Sequence, residues 1–199
     1  TAKYGQTLAD VTLPDGWSWM DSCESVGGAS TAAKTFQAKF TPTDAVNYNT
    51  VENIKLDVTV NKANGGLKTV ELTQKYTDTS EHTYTPDWSG LPTGQTWSYS
   101  SEYSVNTGSN VTLTKQDFAA DGSLLTYAIS GGKAGDKITL TLKASCDNYE
   151  DFTITLNVTL TEKDDQKPLT ITGAGSVVYG QTLTLTTTGG SGLGTVTYR

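Results

Sequence analysis

The chain has 199 residues, 35% of them hydrophobic, with 14 Lys and Arg against 21 Asp and Glu and a formal net charge of −7. Phosphate binding needs clustered Lys and Arg, so a few scattered basic residues in an acidic chain argue against a nucleic-acid partner. There is no apolar run near the ~18 residues of a membrane-spanning helix and no leader pattern at Thr1. The sequence begins and ends in mid-pattern and reads as a piece of a longer protein, with no membrane insertion expected in this piece.

Twenty glycines and abundant threonine suit short strands joined by tight turns, because β-branched side chains fit a pleated surface and glycine supplies positive φ. No segment sustains a 3.6-residue apolar period. The expected fold class is all-β, as tandem small immunoglobulin-like β-sandwich modules with almost no helix.

The first module spans residues 1–62. It opens on Tyr4-Gly5-Gln6-Thr7-Leu8, turns at Pro14-Asp15-Gly16, and continues through Trp17-Ser18-Trp19. Pro presets φ and Gly tolerates the left-handed region, so a reversal there has a mechanism. A Gly/Ala/Ser-rich stretch leads to Phe36, Ala38 and Phe40 on one face. The Asp44–Asn49 loop then feeds a closing strand through Ile54, Leu56, Val58 and Val60.

A second module, residues 63–164, begins after Ala63-Asn64-Gly65-Gly66. Lys68, Val70 and Leu72 share one parity. Further strands are expected around Trp97–Ser100, at Val111 and Leu113, and at Leu125, Tyr127 and Ile129. It closes on the clearest stretch of the chain, 136–163. There Ile138, Leu140, Leu142 and Ala144 alternate with polar residues, and after an Asx-rich loop Ile154, Leu156, Val158 and Leu160 do the same. Period-2 alternation gives a strand one apolar face, and two such runs form an antiparallel hairpin. Asn148-Tyr149 before the last strand mirrors Asn47-Tyr48 before Ile54–Val60, which marks two module ends. Tyr149 is expected to anchor a corner.

A third unit, 165–199, follows Asp164-Asp165-Gln166-Lys167-Pro168 and repeats the Tyr-Gly-Gln-Thr-Leu pattern at Tyr179–Leu183. With only two or three strands it cannot bury a face alone.

YGQTLADVTLPDGWSW and FTPTDAVNYNTVENIKLDVTVNKA resemble short repeats of large cell-surface proteins from Gram-positive gut bacteria. TPDWSGLPTGQTWSYS, SGGKAGDKITLTLKASCDNYEDFTI and LTITGAGSVVYGQTLTLTTTGGSG are similar to the bacterial immunoglobulin-like repeats that accompany them. The resemblance implies secreted, wall-associated stalk or adhesion modules, partnered by neighbouring repeats of the same protein and by host or microbial glycan or protein. It brings no catalytic residue and no cofactor.

His82 is the lone histidine and no nucleophile elbow accompanies it, so a structural role is favoured. Small modules with scattered carboxylates lack the paired acids in a cleft that glycoside hydrolysis needs. No enzymatic activity is expected. Asp164 and Asp165 offer hard oxygen ligands for Ca²⁺, but Asx residues are also the default turn formers. Trp88, Trp97 and Tyr99 are the candidate sugar-stacking platform, with Trp88 in its loop expected to be the most exposed; core packing is the rival reading. An isopeptide cross-link would join Lys68, placed inward by parity, to Asn157, placed outward, and the mismatch counts against it. Cys23 and Cys146 lie in different modules and are expected as free thiols.

Overall fold

The structure, a computed structural model, describes residues 1–106, 109–173 and 175–190. The chain divides into two compact units, Thr1–Thr161 and Glu162–Arg199. Secondary structure is almost entirely β, as the composition and alternation predict.

The first unit contains two sheets of the same build. In the first, β1 (Ala2–Lys3), β2 (Trp17–Trp19), β3 (Ser30–Phe40) and β4 (Val51–Asn61) lie in the order β1-β4-β3-β2. The hairpin β3–β4 is antiparallel, and β1 runs parallel to the end of β4, Ala2 opposite Val60 and Lys3 opposite Asn61. Phe36, Ala38, Val58 and Val60 point to one side and are buried with Trp19. No second sheet covers them among the described residues. A 3₁₀ turn at Leu8–Asp10 and the loop carrying Val26 supply that layer, and both Leu8 and Val26 are fully buried. The Trp19 indole N–H is satisfied by the Val11 carbonyl at 2.9 Å.

The second sheet comprises β5 (Gly66–Lys75), β7 (Ser98–Val105), β10 (Lys137–Ser145) and β11 (Phe152–Thr161), in the order β5-β11-β10-β7. Here too the hairpin β10–β11 is antiparallel and β5 runs parallel to β11, from Gly66 opposite Phe152 to Lys75 opposite Thr161. A third sheet, β6 (His82–Tyr84), β8 (Thr112–Phe118) and β9 (Leu125–Ser130), covers this one with the order β6-β9-β8. Leu125, Tyr127 and Ile129 pack on Ile138, Leu140, Leu142, Ile154, Leu156, Val158 and Leu160 in one core. Fully burying each such side chain is worth about 1.5–3 kcal/mol, so this interior is the main source of stability. Seven strands in two facing sheets make this half an immunoglobulin-like sandwich.

The two four-stranded sheets therefore correspond strand for strand: β1 to β5, β2 to β7, β3 to β10 and β4 to β11. The β3–β4 loop and the β10–β11 loop place Tyr48 and Tyr149 three residues before Val51 and Phe152 respectively. Ile54 stands one residue later after its tyrosine than Ile154 does. The extra residue is absorbed by a bulge at Asn53, whose φ of 59° lies in the left-handed region. The two cores expected on either side of residue 62 thus belong to one compact unit.

In the second compact unit, β12 (Leu169–Thr172) pairs antiparallel with β13 (Thr186–Gly189). Leu169, Ile171 and Tyr179 are exposed there. The remainder of the expected third module, 191–199, lies outside the described residues.

Candidate functional site

The densest set of specific contacts outside the two cores lies where the first module meets the second. The linker leaving β4 runs beside the β10–β11 loop: the Ala63 N–H donates to the Asn148 carbonyl at 2.9 Å, and the Glu150 N–H donates to the Ala63 carbonyl at 2.8 Å. Ala63 and Tyr149 thereby form a parallel bridge. The Lys62 ammonium caps the Cys146 carbonyl at 2.8 Å, and the Lys3 ammonium reaches Asn64 Oδ1 at 2.9 Å.

The Asn148 side chain ties both halves together. Its Oδ1 accepts the Ala29 N–H at 3.0 Å, and its Nδ2 donates to Gln95 Oε1 at 2.9 Å. Gln95 Nε2 in turn donates to the Tyr4 hydroxyl at 3.1 Å. The relay passes from the first module to the second and back, and each amide uses its oxygen as acceptor and its nitrogen as donor. Beside it the Tyr4 and Tyr149 rings meet edge to face, centroids 5.4 Å apart. Tyr149 also packs on Trp97 at 6.2 Å and Phe152 at 6.3 Å, and Trp97 meets Phe152 edge-on at 5.5 Å.

Close backbone approach is built into the sequence here. A Cβ on Gly65 would run into the carbonyls of Glu150 and Asp151, and one on Gly28 would sit 3.0 Å from Asn148 Oδ1. Net hydrogen-bond contributions near 1 kcal/mol each and aromatic pairs near 0.5–1.5 kcal/mol sum to on the order of 3 kcal/mol or more. That closes the joint by more than about a hundredfold over an open one. The relay itself is made of neutral amides, a hydroxyl and rings, with the Lys3 and Lys62 ammoniums on oxygens beside it, and such groups hold surfaces together.

The residues singled out from the sequence fall around this joint and beyond it. Trp97 is half-buried within the joint itself. Trp88 is half-buried rather than the free platform its loop position suggests: it packs against the sandwich core, its indole N–H donates to the Gly122 carbonyl at 2.9 Å, and its ring lies 5.5 Å from Tyr99. Trp88 lines an open hollow of about 310 Å³ with Lys68, Asp87, Leu91, Phe152 and Ile154.

Lys68 has the parity of Val70 but lies toward the start of β5, where its side chain reaches solvent and donates to Asp87 Oδ2 at 2.7 Å. The hydrogen bond from Lys68, with those from Ser89, holds the Asp87 carboxyl well below the usual range. Asn157 stands opposite Glu71, to which its Nδ2 donates, and accepts from Thr139 Oγ1. Lys68 and Asn157 therefore engage different partners on opposite faces of the sheet.

Asp164 and Asp165 are exposed in the stretch between β11 and β12. Among the described residues no group of three or more His, Cys, Asp or Glu is placed to hold a metal ion. His82 stacks on Tyr127 at 5.6 Å with its Nε2 3.2 Å from Asp78 Oδ2. Cys23 is exposed, Cys146 is half-buried, and both are free thiols.

The sequence marks Tyr149 as a corner of its own module and does not point to Gln95, Asn148 or Ala29 as partners across the joint. The one signal available was the Asn-Tyr pair repeated before both closing strands.

No family model matches the chain, and no curated protein matches it. Among solved structures, the protocadherin gamma B2 extracellular cadherin domains 1–5 align with 91% of this chain, at 12% sequence identity and a TM-score of 0.31. The chain spans 39% of that structure's length, and a likeness so distant assigns neither ligand nor activity. Among the described residues no helix is long and apolar enough to cross a membrane.

Proposed function

We propose that this chain is a run of non-enzymatic repeat modules from an extracellular, wall-associated protein of a Gram-positive bacterium, serving as a stalk or spacer that also supports adhesion. The observation that carries this reading is the joint at Asn148 and Tyr149. A flexible tether would need only a polar linker, whereas here backbone, amide and aromatic contacts fix one module on the next. Repeats whose neighbours are rigidly set add length in a fixed direction, the mechanical property a spacer requires. The extracellular placement and bacterial source rest on the resemblance of the Tyr-Gly-Gln and Asn-Tyr segments to surface repeats.

A second reading is supported by the hollow beside Trp88. An indole flanked by Lys68 and Asp87 offers an apolar wall and two polar handles, the ingredients of a weak sugar subsite. A glycan array on the full chain separates the two readings. The spacer reading predicts no saturable binding; saturable binding that disappears in Trp88→Ala and in Lys68→Ala, with thermal unfolding intact in the latter, overturns it.

A further inference from the structure

The joint between the modules has two sides, and each side occurs a second time in the chain. The loop side is Asn148-Tyr149; its counterpart is Asn47-Tyr48, in the equivalent hairpin and at the same spacing from the following strand. The receiving side consists of Tyr4, directly after β1, and the Gly27-Gly28-Ala29 turn before β3. Its counterpart is Tyr76, directly after β5, half-buried with part of its ring on the sandwich core, and the Gly131-Gly132-Lys133-Ala134 turn before β10, where Gly131 is exposed. The correspondence extends to the backbone. The Tyr4 N–H donates to the Asn61 carbonyl at 2.9 Å, and the Tyr76 N–H donates to the Thr161 carbonyl at 3.0 Å.

The two loop sides differ in what covers them. Asn148 and Tyr149 are half-buried in the joint. Val46 is 94% exposed and Tyr48 65% exposed, and no aromatic ring packs on Tyr48 among the described residues. The loop is nonetheless shaped: the Asn47 N–H and Nδ2 donate to the Asp44 carboxylate at 3.1 and 2.8 Å, and the Tyr48 N–H donates to the Asp44 carbonyl. Those bonds hold Asn47 and Tyr48 at the tip and leave Asn47 Oδ1 available, the atom that in Asn148 takes the Ala29 N–H. Because β4 runs from this loop toward the joint, the loop lies at the end of the first sheet remote from Tyr4.

We infer that the Asp44–Asn49 loop is the loop side of a second joint, and that its occupant is the Tyr76 and Gly131–Gly132 end of a second copy of this chain. The contact is heterologous, since the two surfaces differ, so copies join head to tail in an open series and do not close as a symmetric dimer. Tyr48 takes the place of Tyr149 against the Tyr76 ring, and Asn47 Oδ1 accepts an N–H from the glycine turn. The inference rests on the reading of Asn148 and Tyr149 as a joint but fails separately from it. The internal joint is measured at high dilution and the copy-to-copy contact only through its concentration dependence.

With an effective concentration near the millimolar range, a joint closed about a hundredfold corresponds to half-association of free copies at about 10 μM, and a weaker copy-to-copy contact to a value between that and about 1 mM. The test is a series of two-dimensional amide NMR spectra of the full chain, from about 0.02 mM to about 2 mM. The expected result is concentration-dependent shifts at Asn47 and Tyr48 and, in parallel, at Tyr76 and Gly131–Gly132. These shifts vanish in Tyr48→Ala, whose exposed side chain can be removed without unfolding the module, and in Asn47→Ala. The inference is overturned by spectra that do not change with concentration, by shifts that survive Tyr48→Ala, or by shifts that map to another surface such as the Trp88 hollow.

Discussion

Tyr4 and Tyr149 lie 145 positions apart in sequence and meet edge to face with ring centroids 5.4 Å apart. Gln95 links the Tyr4 hydroxyl to Asn148, the neighbour of Tyr149. This contact converts two modules into one compact unit, and removing it should separate their behaviour. In Asn148→Ala, Ala29 and Gln95 each lose a partner, at a cost of about 1–3 kcal/mol. The expected outcome in calorimetry is that a single unfolding transition broadens or splits, with the second module melting near its original temperature.

Glycine content gives a sharper contrast. Gly65→Ala places a methyl group against the Glu150 and Asp151 carbonyls, whereas a methyl group on Gly90 meets no neighbour within 4 Å. Overpacking of this kind costs about 1–3 kcal/mol. Urea titration should show Gly65→Ala clearly destabilised and Gly90→Ala close to the parent.

The sandwich core should respond much more strongly than any surface pair. Leu156 is fully buried between β5 and β10, and Leu156→Ala leaves a cavity costing about 2–5 kcal/mol. Lys115→Ala, which removes a partner of Glu81 on the surface, should change stability by less than about 1 kcal/mol. Chemical denaturation of both variants checks the ranking.

The Lys68–Asp87 pair predicts a pH dependence. The Asp87 carboxyl is held below its ordinary range, chiefly by the Lys68 hydrogen bond, so it binds fewer protons folded than unfolded. Its contribution is therefore present above the ordinary carboxylate pKa near 4 and is lost as pH falls toward the lower folded value. Lys68 is shifted up by the same partner, so its share is lost only above the ordinary lysine range. An NMR titration should show the Asp87 carboxyl carbon still ionised at a pH where most carboxylates are half protonated. Lys68→Ala should move it up toward the ordinary range, with the Ser89 hydrogen bonds keeping part of the shift.

Much of the fold was legible in the sequence because burial follows parity. Ile138, Leu140, Leu142 and Ala144, singled out by alternation alone, are all fully buried. Parity was less informative at strand ends. Lys68 shares the parity of Val70, but near the start of β5 a long side chain can still reach water and Asp87. The one-residue offset at Asn53 did not hide the repeat, because a bulge restores the face. The single-sheet build of the first module was not legible. Nothing local distinguishes Leu8 and Val26 in a covering coil from residues of a missing strand. The joint was least legible of all. Asn148 bonds to residues 53 and 119 positions away, and no periodicity connects residues at such distances.

The central claim is that the modules within Thr1–Thr161 are rigidly set on one another. Amide nitrogen relaxation of the full chain, taken over a dilution series and extrapolated to zero concentration so that copy-to-copy contact does not contribute, tests it most directly. The account predicts that amides of β3 and β4 and those of β10 and β11 fit one rotational diffusion tensor, and that Asn148→Ala combined with Tyr149→Ala splits them into two. Separate tumbling of the two modules in the unmodified chain would contradict it.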